Sequence, residues 1–231
     1  MNTSVQKDNS TFRQKLALRR EVLRHAPDAP TILETHGGYG RIFERAWFKA
    51  HTGVVIEADA QKAEALARQR PTWRVYQGNN LPCLRAGIAN DLAFDIVDLD
   101  PFGSSLDYLD ALAQPGRTWP DRWQLVVNDG MRQTLRLGGA WHCGALRDVV
   151  ERRGNNLDPV YLEVARELVE VMADALGFRL AGWVGYYTGA NDCMTHYWAT
   201  LERLATAGTA PGSASGRLVG GVVGAEVPGA L

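Results

Sequence analysis

Short apolar runs alternate along this chain with stretches whose apolar residues recur every three or four positions. TILE (31–34), GVVIEAD (53–59), WRVYQG (73–78), FDIVDLD (94–100) and QLVVND (124–129) are too short and too continuously apolar for surface helices, and they read as buried strands. Between them, RIFERAWFKAH (41–51), AQKAEALARQR (60–70), SSLDYLDALAQ (104–114) and GMRQTLRLGG (130–139) carry helical spacing. The longest helical pattern is DPVYLEVARELVEVMADAL (158–176), with Asp158 predicted as N-cap, Pro159 in the first turn and Gly177 as the stop. FRLAGWVGYY (178–187) and MTHYWATLERL (194–204) follow with no helix between them, which predicts a hairpin.

Strands alternating with helices predict a parallel sheet covered on both faces. The expected fold is therefore α/β: a Rossmann-like, doubly wound, mostly parallel sheet with an antiparallel C-terminal hairpin. Three regions are expected. Residues 1–30 form a basic helical segment, 31–204 the main domain, and 205–231 a Gly/Ala/Ser/Pro-rich tail read as flexible. In the first region FRQKLALRREVLRH (12–25) sets Arg13, Lys15, Arg19, Arg20 and Arg24 against one acid, Glu21. A solvated helix face is the ordinary reading of such a stretch, and a phosphate-contacting arm the alternative.

Composition changes this picture little. A net charge of −1 gives no global support to a polyanionic partner. No apolar run approaches the ~20 residues of a membrane span, and MNTSVQKDNS lacks a secretory core. Cys83, Cys143 and Cys193 are odd in number and scattered, which fits a reducing compartment; a cytoplasmic protein without membrane contact is expected. No metal site is expected either. Cys193 and His196 would face opposite sides of a strand, as would the adjacent His142 and Cys143.

Candidate chemistry concentrates at the carboxyl ends of the predicted strands, where open α/β sheets bind ligands. ILETHGGYGR (32–41) joins the first strand to the first helix with the spacing Glu34-x-His36-x-Gly38-x-Gly40. It matches neither a dinucleotide fingerprint, since Phe43 stands at the third glycine, nor a phosphate loop. Glu57, after Val-Val-Ile, is suited to accept hydrogen bonds from both hydroxyls of a ribose. Asp59 could do so instead, or cap the following helix. Asn79 could meet an adenine edge, or be part of an ordinary turn. The strand FDIVDLD then ends in two carboxylates, Asp98 and Asp100, that point the same way on an extended chain. A buried strand tip would normally exclude both.

These motifs in this order resemble the class I S-adenosylmethionine-dependent methyltransferases. In the amino-methylating members Glu34 stands where an Asp is common and His36 where an aromatic is common. The segment FDIVDLDPFGSSLDYLDA (94–111) closely resembles the active-site segment of the transfer-RNA guanine-N2 dimethyltransferases. The likeness is most specific over 94–110 and collinear over 31–204. It implies S-adenosyl-L-methionine as cofactor, held by Glu34, His36, Gly38, Gly40, Glu57, Asn79 and Asp98. It implies that Asp100 and the Pro101 carbonyl grip an exocyclic amino group, Phe102 stacks on its ring, and Gly103 leaves room for close approach. The substrate so implied is a nucleic acid, RNA before DNA. The family's further C-terminal domain and its N-terminal Asn-Arg-Asp stretch have no visible counterpart, so a partner protein or the basic helix is expected to help position the polymer. Competing readings are a DNA amino methyltransferase, a small-molecule methyltransferase, and a non-catalytic subunit keeping the fold, the last favoured by His36.

Overall fold

A computed structural model of the chain describes residues 11–101, 103–138 and 144–205. Phe102, His142, Cys143 and nearly all of the expected tail lie outside the described residues. Seven strands form one sheet: β1 (Thr31–Glu34), β2 (Thr52–Glu57), β3 (Arg74–Gln77), β4 (Ile96–Leu99), β5 (Arg122–Asp129), β6 (Phe178–Thr188) and β7 (Met194–Arg203). Their order is β3-β2-β1-β4-β5-β7-β6. The first five run parallel, and β7 is antiparallel to both β5 and β6. The chain winds outward from β1 to β3, then returns to lay β4 on the other side of β1. That reversal opens a crevice at the ends of β1 and β4.

Alternation along each strand sends side chains to two cores. Leu33, Val54, Ile56, Val97, Leu99, Leu125 and Val127 pack beneath α4 (Asn80–Arg85), α5 (Leu106–Leu112), α7 (Gly144–Arg153) and α8 (Tyr161–Ala175). Ile32, Val55, Ile96 and Val126 face α1 (Phe12–Leu23) and α3 (Ala60–Gln69), with α2 (Arg41–Arg45) beside them. The remaining helix, α6 (Met131–Arg136), follows β5. Val22 of α1 is wholly buried, as are Ile32 and Ile96 beneath it. Burial of each such side chain is worth about 1.5–3 kcal/mol, enough to fix α1 on the sheet. Among the described residues no helix is long and apolar enough to cross a membrane.

The structure departs from the sequence reading in four places. Helices α4 and α7 were not anticipated. RIFERAWFKAH splits at Ala46 (φ −124°), which turns Trp47 into the core as the start of a 3-10 turn. Asp158 does not cap the long helix. It sits in a 3-10 turn before α8 and pairs with Arg132 (2.6 Å) and Arg136 (3.0 Å), two guanidinium partners that outcompete a backbone amide. The basic helix is only partly a solvated face: Arg13, Arg20 and Arg24 are exposed, while Lys15 and Arg19 are buried against the sheet.

Candidate active site

The loop after β1 is drawn tight by its glycines. Gly38 (φ 54°) and Gly40 (φ 79°) both adopt left-handed backbone, which a side chain would strain. The Gly38 N–H donates to Glu57 Oε2 (2.9 Å), and the Asp59 N–H donates to Glu57 Oε1 (3.0 Å). One carboxylate at the end of β2 thus ties together the first two loops of the crevice. Asp59 itself caps α3 through the Lys62 N–H (3.0 Å), which resolves its two readings in favour of the cap.

His36 bridges the same loop to α5. Its Nδ1 lies 2.7 Å from Thr35 Oγ1 and its Nε2 lies 3.2 Å from the Tyr108 hydroxyl. Burial pushes its pKa down to about 4, so the imidazole is neutral at pH 7. Glu34 is buried and pairs with Arg70, whose buried guanidinium lies over Phe43 and Trp73. Burial raises the Glu34 pKa, with Arg70 opposing it. Asn79 is exposed at the N-terminus of α4 and makes no side-chain cap. Its neighbour Asn80 is buried, and Asn80 Oδ1 has no hydrogen-bond partner among the described residues.

The two carboxylates of β4 meet two cations from α1. Glu34 of β1 and Asp98 of β4 are in register, and the Thr35 N–H donates to the Asp98 carbonyl (3.0 Å). The Asp98 carboxylate accepts from Arg19 Nε (2.7 Å), Arg19 Nη2 (2.5 Å) and Trp47 Nε1 (2.9 Å). With its amide oxygen turned inward, Asn128 accepts from Arg19 Nη1 (2.9 Å) and Nη2 (2.7 Å). Asp100 Oδ1 accepts from Lys15 Nζ at 2.5 Å, and Arg19 Nη2 stands 3.8 Å from Oδ2. Burial alone would raise the Asp100 pKa, but Lys15 and Arg19 outweigh it and hold the carboxyl below its ordinary range. The cluster is electrically balanced, as buried charge must be. Sequence reasoning placed Lys15 and Arg19 in a basic helix but missed their pairing with Asp100 and Asp98, although they sit four positions apart on one helix face.

Beyond Asp100, Pro101 is buried and Gly103 (φ 99°) accepts at its carbonyl from the Gly130 N–H (2.9 Å). Ser105 then donates to Asp129 Oδ2 (2.8 Å) on the opposite face of the sheet. Asp129 also accepts from the Tyr161 hydroxyl (3.0 Å) and the Met131 N–H (3.3 Å), and burial pushes its pKa up to about 6. Phe102, between these anchored points, lies outside the described residues. His196 is buried with Nδ1 3.4 Å from the Tyr186 hydroxyl, and among the described residues no cluster of three potential metal ligands occurs.

No protein-family model and no curated protein matches the sequence. Solved structures do match it. Trm1 from Pyrococcus horikoshii, in complex with S-adenosyl-L-methionine, superposes with a TM-score of 0.59 at 14% identity, over 84% of this chain and 55% of that one. This chain therefore spans little more than half the length of that protein. TYW2 from M. jannaschii, in complex with AdoMet, gives 0.55 at 10% identity over 87% of this chain and 80% of that one. The N-methyltransferase NodS from Bradyrhizobium japonicum WM9 gives 0.51 at 14% identity over 85% and 98%. What is shared at such identities is architecture. The seven-stranded sheet with its antiparallel C-terminal hairpin has the fold of the S-adenosylmethionine-dependent methyltransferases.

Proposed function

We propose that this chain is an S-adenosylmethionine-dependent methyltransferase acting on an exocyclic amino group of a nucleobase, with guanine N2 in RNA as the first candidate. One observation carries this reading: the loop after β1 is tied to the carboxyl ends of β2 and β4 at the point where strand order reverses, through Gly38–Glu57 and Thr35–Asp98. Asp-Pro-Phe-Gly starts two residues beyond that junction.

The residues present fit the cofactor. A Cβ on Gly38 or Gly103 would meet nothing within 4 Å, so both walls leave open space. The Glu57 oxygens, now on two loop amides, suit ribose hydroxyls; the unpartnered Asn80 Oδ1 suits an amino N–H. A neutral His36 adds no positive charge beside a sulfonium. S-adenosylmethionine, when bound, supplies an electrophilic methyl group. The chain's own part is to hold the acceptor. A ring-conjugated NH2 is a poor nucleophile because its lone pair is delocalised. Hydrogen bonds from its N–H groups to Asp100 and the Pro101 carbonyl would draw the nitrogen towards sp³ geometry and aim the lone pair. Stacking on Phe102, the role the resemblance gives that residue, would add about 1–3 kcal/mol. Orientation would carry most of the acceleration.

A second reading has its own observation. Lys15 already occupies Asp100 Oδ1, as expected of a non-catalytic subunit that keeps the fold. Incubation with labelled cofactor and separate pools of RNA, DNA and metabolites tests both. Label in RNA, lost in Asp100→Ala while cofactor affinity is kept, is the expected result. Label confined to metabolites overturns the nucleic-acid substrate; cofactor binding without label in any pool favours the non-catalytic subunit.

A further inference from the structure

Lys15 stands where the acceptor of the proposed reaction would have to be. Its Nζ lies 2.5 Å from Asp100 Oδ1, with the two side chains 7% and 20% exposed. The two cations of α1 are not held alike. Arg19 is wholly buried and spends its nitrogens on Asp98, Asn128 and the Lys15 carbonyl (3.2 Å). The Lys15 ammonium is held through Asp100, on a long flexible stem and at the more exposed rim of the cluster. Arg19 is thus held by several partners, whereas the Lys15 ammonium is held by Asp100.

Exchange has a condition. An acceptor amine that takes Asp100 Oδ1 strips the ammonium of its partner. Of the other groups in the cluster, Arg19 is itself a cation, His36 and His196 are kept neutral by burial, and the Asp98 carboxylate is engaged by Arg19 and Trp47. Leaving one member of a buried pair uncompensated is strongly unfavourable. A neutral base or nucleoside brings nothing to offset that loss, but a ligand carrying phosphate beside its base does. Lysine binds phosphate well as a point charge, through short charge-assisted hydrogen bonds.

We propose that Lys15 is the specificity-determining residue of the acceptor site. The ligand's phosphate draws the Lys15 ammonium off Asp100 while the base amino group takes its place. The ligand class is therefore a base bearing an adjacent phosphate, as a mononucleotide or within a strand. This rests on the reading of the site as a base-amino methyltransferase.

Calorimetry on the full chain at constant ionic strength tests it, with guanosine, guanosine 5′-monophosphate and a short guanine-containing oligoribonucleotide as probes. Guanosine should bind at least about 100-fold more weakly than the monophosphate. Inorganic phosphate added to the guanosine titration should recover much of the difference. Lys15→Met should narrow the gap to about threefold or less, and Lys15→Arg should keep it. Equal affinities for guanosine and its monophosphate, no effect of added phosphate, or a gap that survives Lys15→Met would overturn the exchange. The phosphate titration uses the unaltered protein, so a misfolded variant does not remove the test. An oligonucleotide that binds more tightly than the monophosphate identifies a strand as the source of the phosphate, and equal binding identifies a free nucleotide. S-adenosylmethionine binding is measured on the same samples. A chain that binds cofactor and both guanosine probes equally loses only the exchange; one that binds cofactor but none of the three probes loses the nucleobase reading with it.

Discussion

Asp98 and Asp100 leave β4 on the α1 face and meet an arginine and a lysine; Asp129 leaves the neighbouring β5 on the other face and meets Ser105, Tyr161 and one backbone amide. All three sit at the carboxyl end of the sheet, and the environments push two of them in opposite directions. Cations hold Asp100 below the ordinary carboxylate range, whereas burial among neutral donors lifts Asp129 to about 6. Neutral donors satisfy geometry without replacing the lost hydration of a charge. The α1 face thus matches its carboxylates with cations, Lys15 on Asp100 and Arg19 on Asp98. The opposite face braces the Asp-Pro-Phe-Gly loop with a carboxyl that changes charge near neutrality.

The comparison breaks most easily at Arg19. Arg19→Met should cost about 3–5 kcal/mol in denaturant unfolding, because it leaves Asp98 charged and buried without compensation. Adding Asp98→Leu should restore much of that loss. A single variant as stable as the parent would remove the electrostatic account of this face. On the opposite face the predicted variable is pH. The folded-state value of Asp129 lies above its ordinary 3.8, so the native state holds this proton longer than the unfolded chain does. The stabilisation from this group is therefore complete below about pH 4 and is lost as pH rises to about 6, a change of roughly 3 kcal/mol. Asp129→Asn should flatten that decline. Asp100 works in the other direction, contributing above the ordinary carboxylate range and losing its contribution as pH falls through its depressed value. A smaller effect is expected at the rim. Glu57→Ala should weaken S-adenosylmethionine binding about tenfold to a hundredfold, as loss of hydrogen bonds to a charged group does, with Asp100→Ala as the control that keeps affinity. Asn79→Ala, at an exposed position without a capping bond, should change stability by less than about 0.5 kcal/mol.

The sheet was legible in the sequence because its strands are apolar runs bounded by punctuation, and all seven lie where the pattern put them. The short helices α4 and α7 were not. NLPCLR contains a proline and spans under two turns, while GALRDVVERR buries a single short stripe, Leu146, Val149 and Val150, among charged residues. Of the candidate site, Gly38, Gly40, Glu57, Asp98 and Asp100 border the crevice at the ends of β1, β2 and β4. Glu34 is engaged by Arg70, and Asn79 is exposed beside a buried Asn80. The two carboxylates of FDIVDLD announce that counter-charges exist without saying where. Lys15 and Arg19 answer from 85 and 79 residues away, a distance that local pattern reading does not span.

That separation sets an order of events. During synthesis α1 leaves the ribosome 79 to 85 residues ahead of the carboxylates it pairs with, and Asn128 follows later still. Until then the helix has no docking face for its lysine and arginine, and it must wait, solvated, for strands still to come. Contacts between residues so far apart in sequence form late and slow the search for the native state. Docking of α1 onto Asp98 and Asp100 is therefore expected among the last steps of folding.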